Sequence, residues 1–426
     1  MIVHRDVVLS NGLPVVLVPQ PTVHRAVASL YLRVGSRFES AEQNGLSHFL
    51  EHMVFRGTTT HDSAHAQALA FERIGGTLYA ATHVDHGVMT VSVPPSNLAR
   101  VIELLGEVTL EPRFGELEIE RGIVREEILE DKDDDGREID GDNLSRALLY
   151  GKHPLGFTIT GGVEALDRFD EPMLRKHHAR HYTTANAVLC VAGNLGDVDA
   201  CVRVAERAFG AMPNGERVPI EPAPGLQKRA RFRYVDNTSS QTDLRIAFRA
   251  VGERDRREPA MEMLLRVLDD GMSTRLYERV CDRKGLCYDV SGMYECYEDD
   301  GVFDFAAEAQ HERAALVVRE ILDLCRDLAD HGPNEDEIEK ARDRHLWSTE
   351  AMLDDADALA GFYGLAALAD LARTPAARHA ELASVTARDV REAAEQIFRK
   401  EGLAAVAVGL LEPAEETTIE RAIRGF

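Results

Sequence analysis

The stretch Gly45-Leu46-Ser47-His48-Phe49-Leu50-Glu51-His52-Met53-Val54-Phe55 places two imidazoles and a carboxylate on one side of a short helix. At about 3.6 residues per turn, His48, Glu51, His52 and Phe55 share a face, while Leu46, Leu50, Met53 and Val54 turn towards a core. Two histidines at i and i+4 can both reach one ion at roughly 2.0–2.1 Å, and a glutamate beside them can hold a water instead of the metal. That is the layout of a zinc hydrolase, in the order H-x-x-E-H that reverses the commoner H-E-x-x-H. Three fixed positions recur by chance in roughly one chain in twenty of this length, so a third ligand is required.

A second helix-period segment, Phe114 to about Glu130, supplies candidates. Its apolar residues Leu117, Ile119, Ile123, Val124 and Ile128 cover one broad arc at about 100° per residue. Glu120 and Glu127 are seven apart, so nearly eclipsed, and fall inside that arc; Glu126 falls outside it. A buried carboxylate without a partner is costly, so two in an apolar stripe imply a cation or a proton. This selects Glu127 over Glu126 as the third ligand. The alternative is a carboxylate paired with an arginine such as Arg121 or Arg125.

Composition narrows the field. With 426 residues, 44% of them hydrophobic, the chain can bury a large core, and its length favours two or three domains. A net charge of -24 argues against nucleic acid and against an anionic membrane as partners. From Met1 to Asp6 there is no basic segment leading into an apolar run, and no window approaches 18 uninterrupted apolar residues, so the expectation is a cytoplasmic protein. Cys190, Cys201, Cys281, Cys287, Cys296 and Cys325 form no C-x-x-C pair and read as reduced thiols.

In chain order, Asp6-Val7-Val8-Leu9, the Asn11-Gly12 turn and Val15 to Val18 predict a hairpin, and Ala26 to Val34 a third strand. A helix over about Ala64 to Arg73 stops at Gly75-Gly76. Leu78-Tyr79-Ala80-Ala81-Thr82 and Val88 to Val93 read as paired strands, and a helix follows Pro95-Ser96-Asn97 to about Leu110. The charged Pro/Gly stretch Met212 to Arg229 reads as a linker. Beyond it, Phe232 to Val235, Thr242 to Phe248 and Val302 to Ala307 are strands; helices are expected over Pro259 to Leu268, Glu312 to His331, Glu335 to Asp354 and Asp357 to Arg373. The strand-then-helix order echoes the first half without a strong residue-level repeat.

Several segments resemble the M16 metallopeptidases, the pitrilysin, insulin-degrading enzyme and mitochondrial processing peptidase group, in its small bacterial form. They are Gly45 to Thr58, Glu120 to Ile128, Gly151-Lys152-His153-Pro154-Leu155-Gly156, His181-Tyr182 with Asn186-Ala187-Val188, Ser273-Thr274-Arg275-Leu276, and Gly285-Leu286-Cys287-Tyr288. The resemblance implies an α+β fold of two similar halves, each a mainly antiparallel sheet covered by helices, forming a clamshell on dimerisation as a homodimer or with a related chain. The expected division is residues 1–212 with the metal site, a linker at 213–229, and 230–426 without one. It implies zinc bound by His48, His52 and Glu127, Glu51 as general base for a zinc-activated water, Glu120 supporting from behind the ligands, and Tyr288 as a donor to the oxyanion. A peptide substrate would lie as an extra strand along Leu78, Tyr79, Ala80, Ala81 and Thr82. The alternative is a metal-binding but inactive or partner-dependent subunit of a heterodimer.

Two positions depart from the family pattern. Cys281 stands where an arginine usually contacts substrate backbone, with Arg279 and Arg283 flanking it, and Tyr79 stands where an asparagine is usual. Asp131-Lys132-Asp133-Asp134-Asp135-Gly136 through Asp142 nearly fits a calcium loop, but Glu138 and Asp142 break the pattern, so a solvated acidic helix end is the better reading. His61, His65, His83, His86, His177, His178 and His181 share no spacing that unites them as ligands.

Overall fold

The alternating and apolar runs of the first half assemble, in the computed structural model, which describes residues 3–426, into a six-stranded sheet. Met1 and Ile2, part of the amino-terminal reading, lie outside the described residues. The strands are β1 (Arg5–Val8), β2 (Pro14–Pro19), β3 (Ala26–Leu32), β4 (Tyr79–Thr82), β5 (Gly87–Val93) and β6 (Ala187–Gly193), in spatial order β1-β2-β6-β3-β5-β4. The second half builds a five-stranded sheet from β7 (Arg231–Asp236), β8 (Thr242–Ala250), β9 (Cys287–Cys296), β10 (Gly301–Ala309) and β11 (Leu403–Gly409), ordered β7-β11-β8-β10-β9.

The two sheets repeat one plan. In each, one pair is parallel, β2 with β6 and β7 with β11, and every other pairing is antiparallel. Matched in order, β2-β6-β3-β5-β4 corresponds to β7-β11-β8-β10-β9, with β1 an addition. The chain is α+β with two similar halves, a likeness carried by topology where residue identity does not show it.

Every residue of β3, β6 and β11 is buried, because helices cover both faces of each sheet. On the first sheet, Leu30, Val91, Ile102 and Leu105 share one core with the Leu98–Leu110 helix. On its other face, Val16, Val27, Tyr31 and Val188 pack with Leu359, Ala360 and Tyr363 from the Ala356–Leu368 helix. On the second sheet, Leu144 of the Gly141–Tyr150 helix packs with Val235, Val406 and Val408. Its opposite face meets the helices Glu258–Leu268, Ala314–His331 and Ala387–Ile397.

Each sheet thus takes one covering helix from the other half of the sequence. The compact units are residues up to Ile128 with Phe157–Glu221 and Thr349–Ala376, and Leu129–Gly156 with Pro222–Ser348 and Ala377–Phe426. One passage between them, Glu221 to Pro222, lies in the stretch read as a linker. Among the described residues no helix is long and apolar enough to cross a membrane.

Candidate metal centre

The H-x-x-E-H helix, Leu46–Met53, is fixed at both its start and its inner face. Leu46, Phe49, Leu50, Met53 and Val54 are wholly buried and belong to the first unit's core. A helix start leaves backbone amides without partners, and here the buried Glu39 carboxylate accepts from Gly45 N at 2.8 Å and Ser47 N at 2.6 Å. Burial pushes the Glu39 carboxyl up, and those amides pull it down. Gly45 sits at φ +95°, and a Cβ there would lie 2.5 Å from the Thr160 carbonyl, so the approach admits only glycine. Neither Glu39 nor its capping role was foreseen.

The Leu117–Glu130 helix brings Glu127 to this face. Glu127 Oε1 lies 3.3 Å from His48 Nε2, and its Oε2 lies 3.3 Å from His52 Nε2. One ligand atom from each of His48, His52 and Glu127 lies within 4.8 Å of the others, the single such group found among the described residues. A tetrahedral ion with bonds of roughly 2.0–2.1 Å has edges of roughly 3.3–3.4 Å; each imidazole Nε2 stands at that distance from one of the two Glu127 oxygens, and two imidazoles with a carboxylate are a donor set that suits zinc.

Around the donors stands a second layer of charge. His52 Nδ1 donates to Glu120 Oε1 at 2.7 Å, so Nε2 is the nitrogen whose lone pair a metal would take once its proton leaves. Glu120 is itself buried and also accepts from Arg56, whose other nitrogen reaches Glu116 Oε2 at 3.3 Å. Burial raises the Glu120 carboxyl, but His52 and Arg56 together hold it below the usual range. For His52, burial opposes the charge, yet hydrogen bonds to Glu120 and Glu127 overcome it and lift the imidazole to about 9. Hydrogen bonds from His48 and His52 hold Glu127 well below the ordinary carboxylate range.

The predicted arginine partners lie elsewhere. Arg121 pairs with Glu118 and donates to the carbonyls of Leu166 and Phe169, while Arg125 pairs with Asp167. Arg56, which sequence reasoning missed, answers Glu120; its place four residues after His52 was the available signal. The expected apolar arc also needs correction. Val124 and Ile128 are buried, but Ile119 and Ile123 are 55% and 48% exposed, because the core reaches only one flank of this helix.

Glu51 lies on the same helix face outside the donor set, and its Oε2 accepts from Thr82 Oγ1 at 2.7 Å. Thr82 closes β4, whose neighbours Tyr79, Ala80 and Ala81 complete the edge strand; Leu78 lies just before it, buried. Among the described residues β4 pairs only with β5, so its other side is an open edge. Tyr288 belongs to the second unit, on β9, and is 94% exposed. Arg279 is paired with Glu320 and Arg283 with Glu278, and Cys281 Sγ lies 3.8 Å from Cys287 Sγ. In the acidic stretch, Lys132 pairs with Glu138 and Arg137 with Asp133, and Asn143 donates to Asp131. His61 is held by Glu107, and His177 by Ser47.

A doubled α+β chain in which, among the described residues, one His-His-Glu group has the spacing to hold a metal ion defines the class. The chain belongs to peptidase family M16. Residues 14–161 match the family described as Insulinase (Peptidase family M16), and residues 168–344 match the Peptidase M16 inactive domain. It is 32% identical over 338 residues to an "uncharacterized zinc protease" of Mycobacterium tuberculosis, covering 78% of this chain and 76% of the relative. It is also 32% identical over 340 residues to one of Bacillus subtilis, covering 78% and 80%. Among solved structures, a protease from Helicobacter pylori superposes with a TM-score of 0.87 at 21% identity, over 96% of this chain and 100% of that one. The peptidase M16 inactive domain from Pseudomonas fluorescens gives 0.87 at 20% identity, over 96% and 100%.

Proposed function

We propose that this chain is a zinc-dependent metalloendopeptidase that hydrolyses peptide bonds in peptides or unfolded segments. The observation that carries the reading is the 3.3 Å spacing of His48 and His52 from Glu127, with Glu51 beside the donors and outside them. Zinc held there by His48, His52 and Glu127 supplies a Lewis acid and lowers the pKa of a coordinated water towards roughly 7.

The chain's own residues do the rest. Glu120 fixes the tautomer and ring of His52, and Arg56 fixes Glu120. Glu51 takes the proton of the attacking water and returns it to the leaving amine, the part of a general base that becomes a general acid. The open edge of β4, from Tyr79 to Thr82, accepts an extended peptide as an added strand. Tyr288 acts as a donor to the tetrahedral oxyanion. By family resemblance the protein pairs with a second copy or a related chain, and we place its work in the cytoplasm.

Purified chain should cleave a quenched peptide, lose that activity to a chelator, regain it with zinc, and lose it in Glu51→Gln while zinc stays bound. A second reading, a metal-binding subunit that is inactive alone, is favoured by Cys281 in the place of the family arginine. Stoichiometric zinc without turnover, with activity appearing on addition of a related chain, decides for it.

A further inference from the structure

Glu51 is the one polar member of the helix face that no donor set restrains, and a free glutamate samples many rotamers. What restrains it is Thr82. The Thr82 hydroxyl donates to Glu51 Oε2 at 2.7 Å, a length typical of a hydroxyl on a charged carboxylate. Alternation along β4 sends Ala80 and Thr82 to the same face, and Ala80 packs into the first unit's core under the H-x-x-E-H helix. Thr82 sits opposite Gly87 at the mouth of the β4–β5 hairpin, where His83 N donates to His86 O at 2.8 Å. Its β-branched side chain has a stiff χ1, so the strand sets where the hydroxyl points.

The strand itself is short and held on one side. β4 has four residues, with Tyr79 60% exposed and the next three half-buried, and β5 is its one partner among the described residues. Strand edges with few hydrogen bonds open at low cost, and a docked peptide would nearly double the backbone bonds of β4.

We propose that Thr82 is the positioning residue for Glu51, and that β4 thereby couples peptide docking to the general base. This rests on the metallopeptidase reading above. A peptide long enough to lie along β4 fixes Thr82 and, through it, Glu51. Binding energy from residues far from the cleaved bond is then expressed in turnover and not only in affinity.

The test uses the full zinc-loaded chain and two quenched peptides sharing one cleavage site, one confined to the residues about the bond and one extended along β4. Wild type should show a higher kcat on the extended peptide. Thr82→Val should lose roughly 10- to 100-fold in kcat on it, the worth of one hydrogen bond to a charged group, with little change in KM, and the length advantage should vanish. Thr82→Ser should recover most of the loss, with metal content equal in all three. An undiminished length advantage in Thr82→Val, or equal losses on both peptides, overturns the proposal. Crystal structures of zinc-loaded wild type and Thr82→Val give a readout that needs no activity: the Glu51 carboxylate should leave its place, and finding it unmoved refutes the proposal. Wild type without chelator-sensitive turnover defeats the metallopeptidase reading instead, and the two structures still decide what Thr82 does.

Discussion

Zinc uptake by the metal-free chain should compete with a proton on His52. Two carboxylates flank this imidazole, Glu120 at 2.7 Å on Nδ1 and Glu127 at 3.3 Å on Nε2, and they lift its pKa to about 9 despite burial. The same Nε2 must be unprotonated to bind metal. The folded value lies above the ordinary 6.5. The charge on His52 therefore stabilises the metal-free fold fully below about pH 6.5, and this contribution is lost as pH rises through about 9. Zinc binding must give up that contribution. At pH 7, two units below the folded value, apparent affinity should sit about 100-fold, or about 2–3 kcal/mol, under its alkaline plateau. Binding at pH 7 should release about one proton, falling to half a proton near pH 9. Competition against a chromophoric chelator from pH 6.5 to 9.5, with calorimetry in two buffers of different ionisation enthalpy, measures both. An affinity that stays flat across that range once the chelator's own protonation is removed, with no buffer-dependent heat, would refute the reasoning. Glu120→Gln should shift the break in the pH curve downward and weaken binding about 10- to 100-fold at pH 9.

Three further outcomes follow from the geometry. Glu127→Ala should abolish stoichiometric zinc while Glu126→Ala, a substitution at an exposed position, keeps it; equal zinc content in both by metal analysis would defeat the ligand assignment. Glu39→Ala removes the acceptor for Gly45 N and Ser47 N and should cost about 2–3 kcal/mol in denaturant unfolding, with zinc bound more weakly because the ligand helix loosens. Asp304, on β10, is pushed up to about 7, by burial first and then by Asp142, against Arg146 and Arg245. A carboxyl with a raised folded pKa stabilises fully below its ordinary value and ceases to as pH rises through the folded one. Wild type should therefore lose about 3–4 kcal/mol relative to Asp304→Asn between pH 4 and pH 7, read as the difference of two unfolding curves; parallel curves would show that Asp304 is ionised throughout.

What the sequence made legible was local. Four apolar residues at helical spacing fixed which way the H-x-x-E-H helix turns, and all four are wholly buried. A heptad separation put Glu127, and not Glu126, towards the histidines. Alternation was readable in β5, whose residues lie buried and half-buried in turn. It failed at two strands whose faces are both covered. Ala187–Gly193 and Leu403–Gly409 run AVLCVAG and LAAVAVG, buried throughout, and carry no period to separate them from a helix. Other contacts between distant segments were equally silent. Thr82 meeting Glu51, Glu39 meeting Gly45, and the Ala356–Leu368 helix covering β3 and β6 each depend on how the chain closes on itself.

The repeated strand plan gives these losses a common cause. In the first half the helix between β3 and β4 presents His48, Glu51 and His52; at the same point of the plan, between β8 and β9, the Glu258–Leu268 helix presents Met261, Met263, Leu264 and Val267, all wholly buried. One copy gives a face of this helix to the donor set, and the other gives these positions to hydrophobic packing. Once a face is committed to core, burial is satisfied by many apolar side chains of suitable volume, so sequence drifts freely while topology holds. A face committed to metal donors has no such freedom, because only particular atoms at particular spacings satisfy an ion. The two copies of this helix therefore share no donor residues, which is why the candidate site was readable from a short motif while the internal repeat showed in the sequence only as a strand-then-helix order and in full only in the fold.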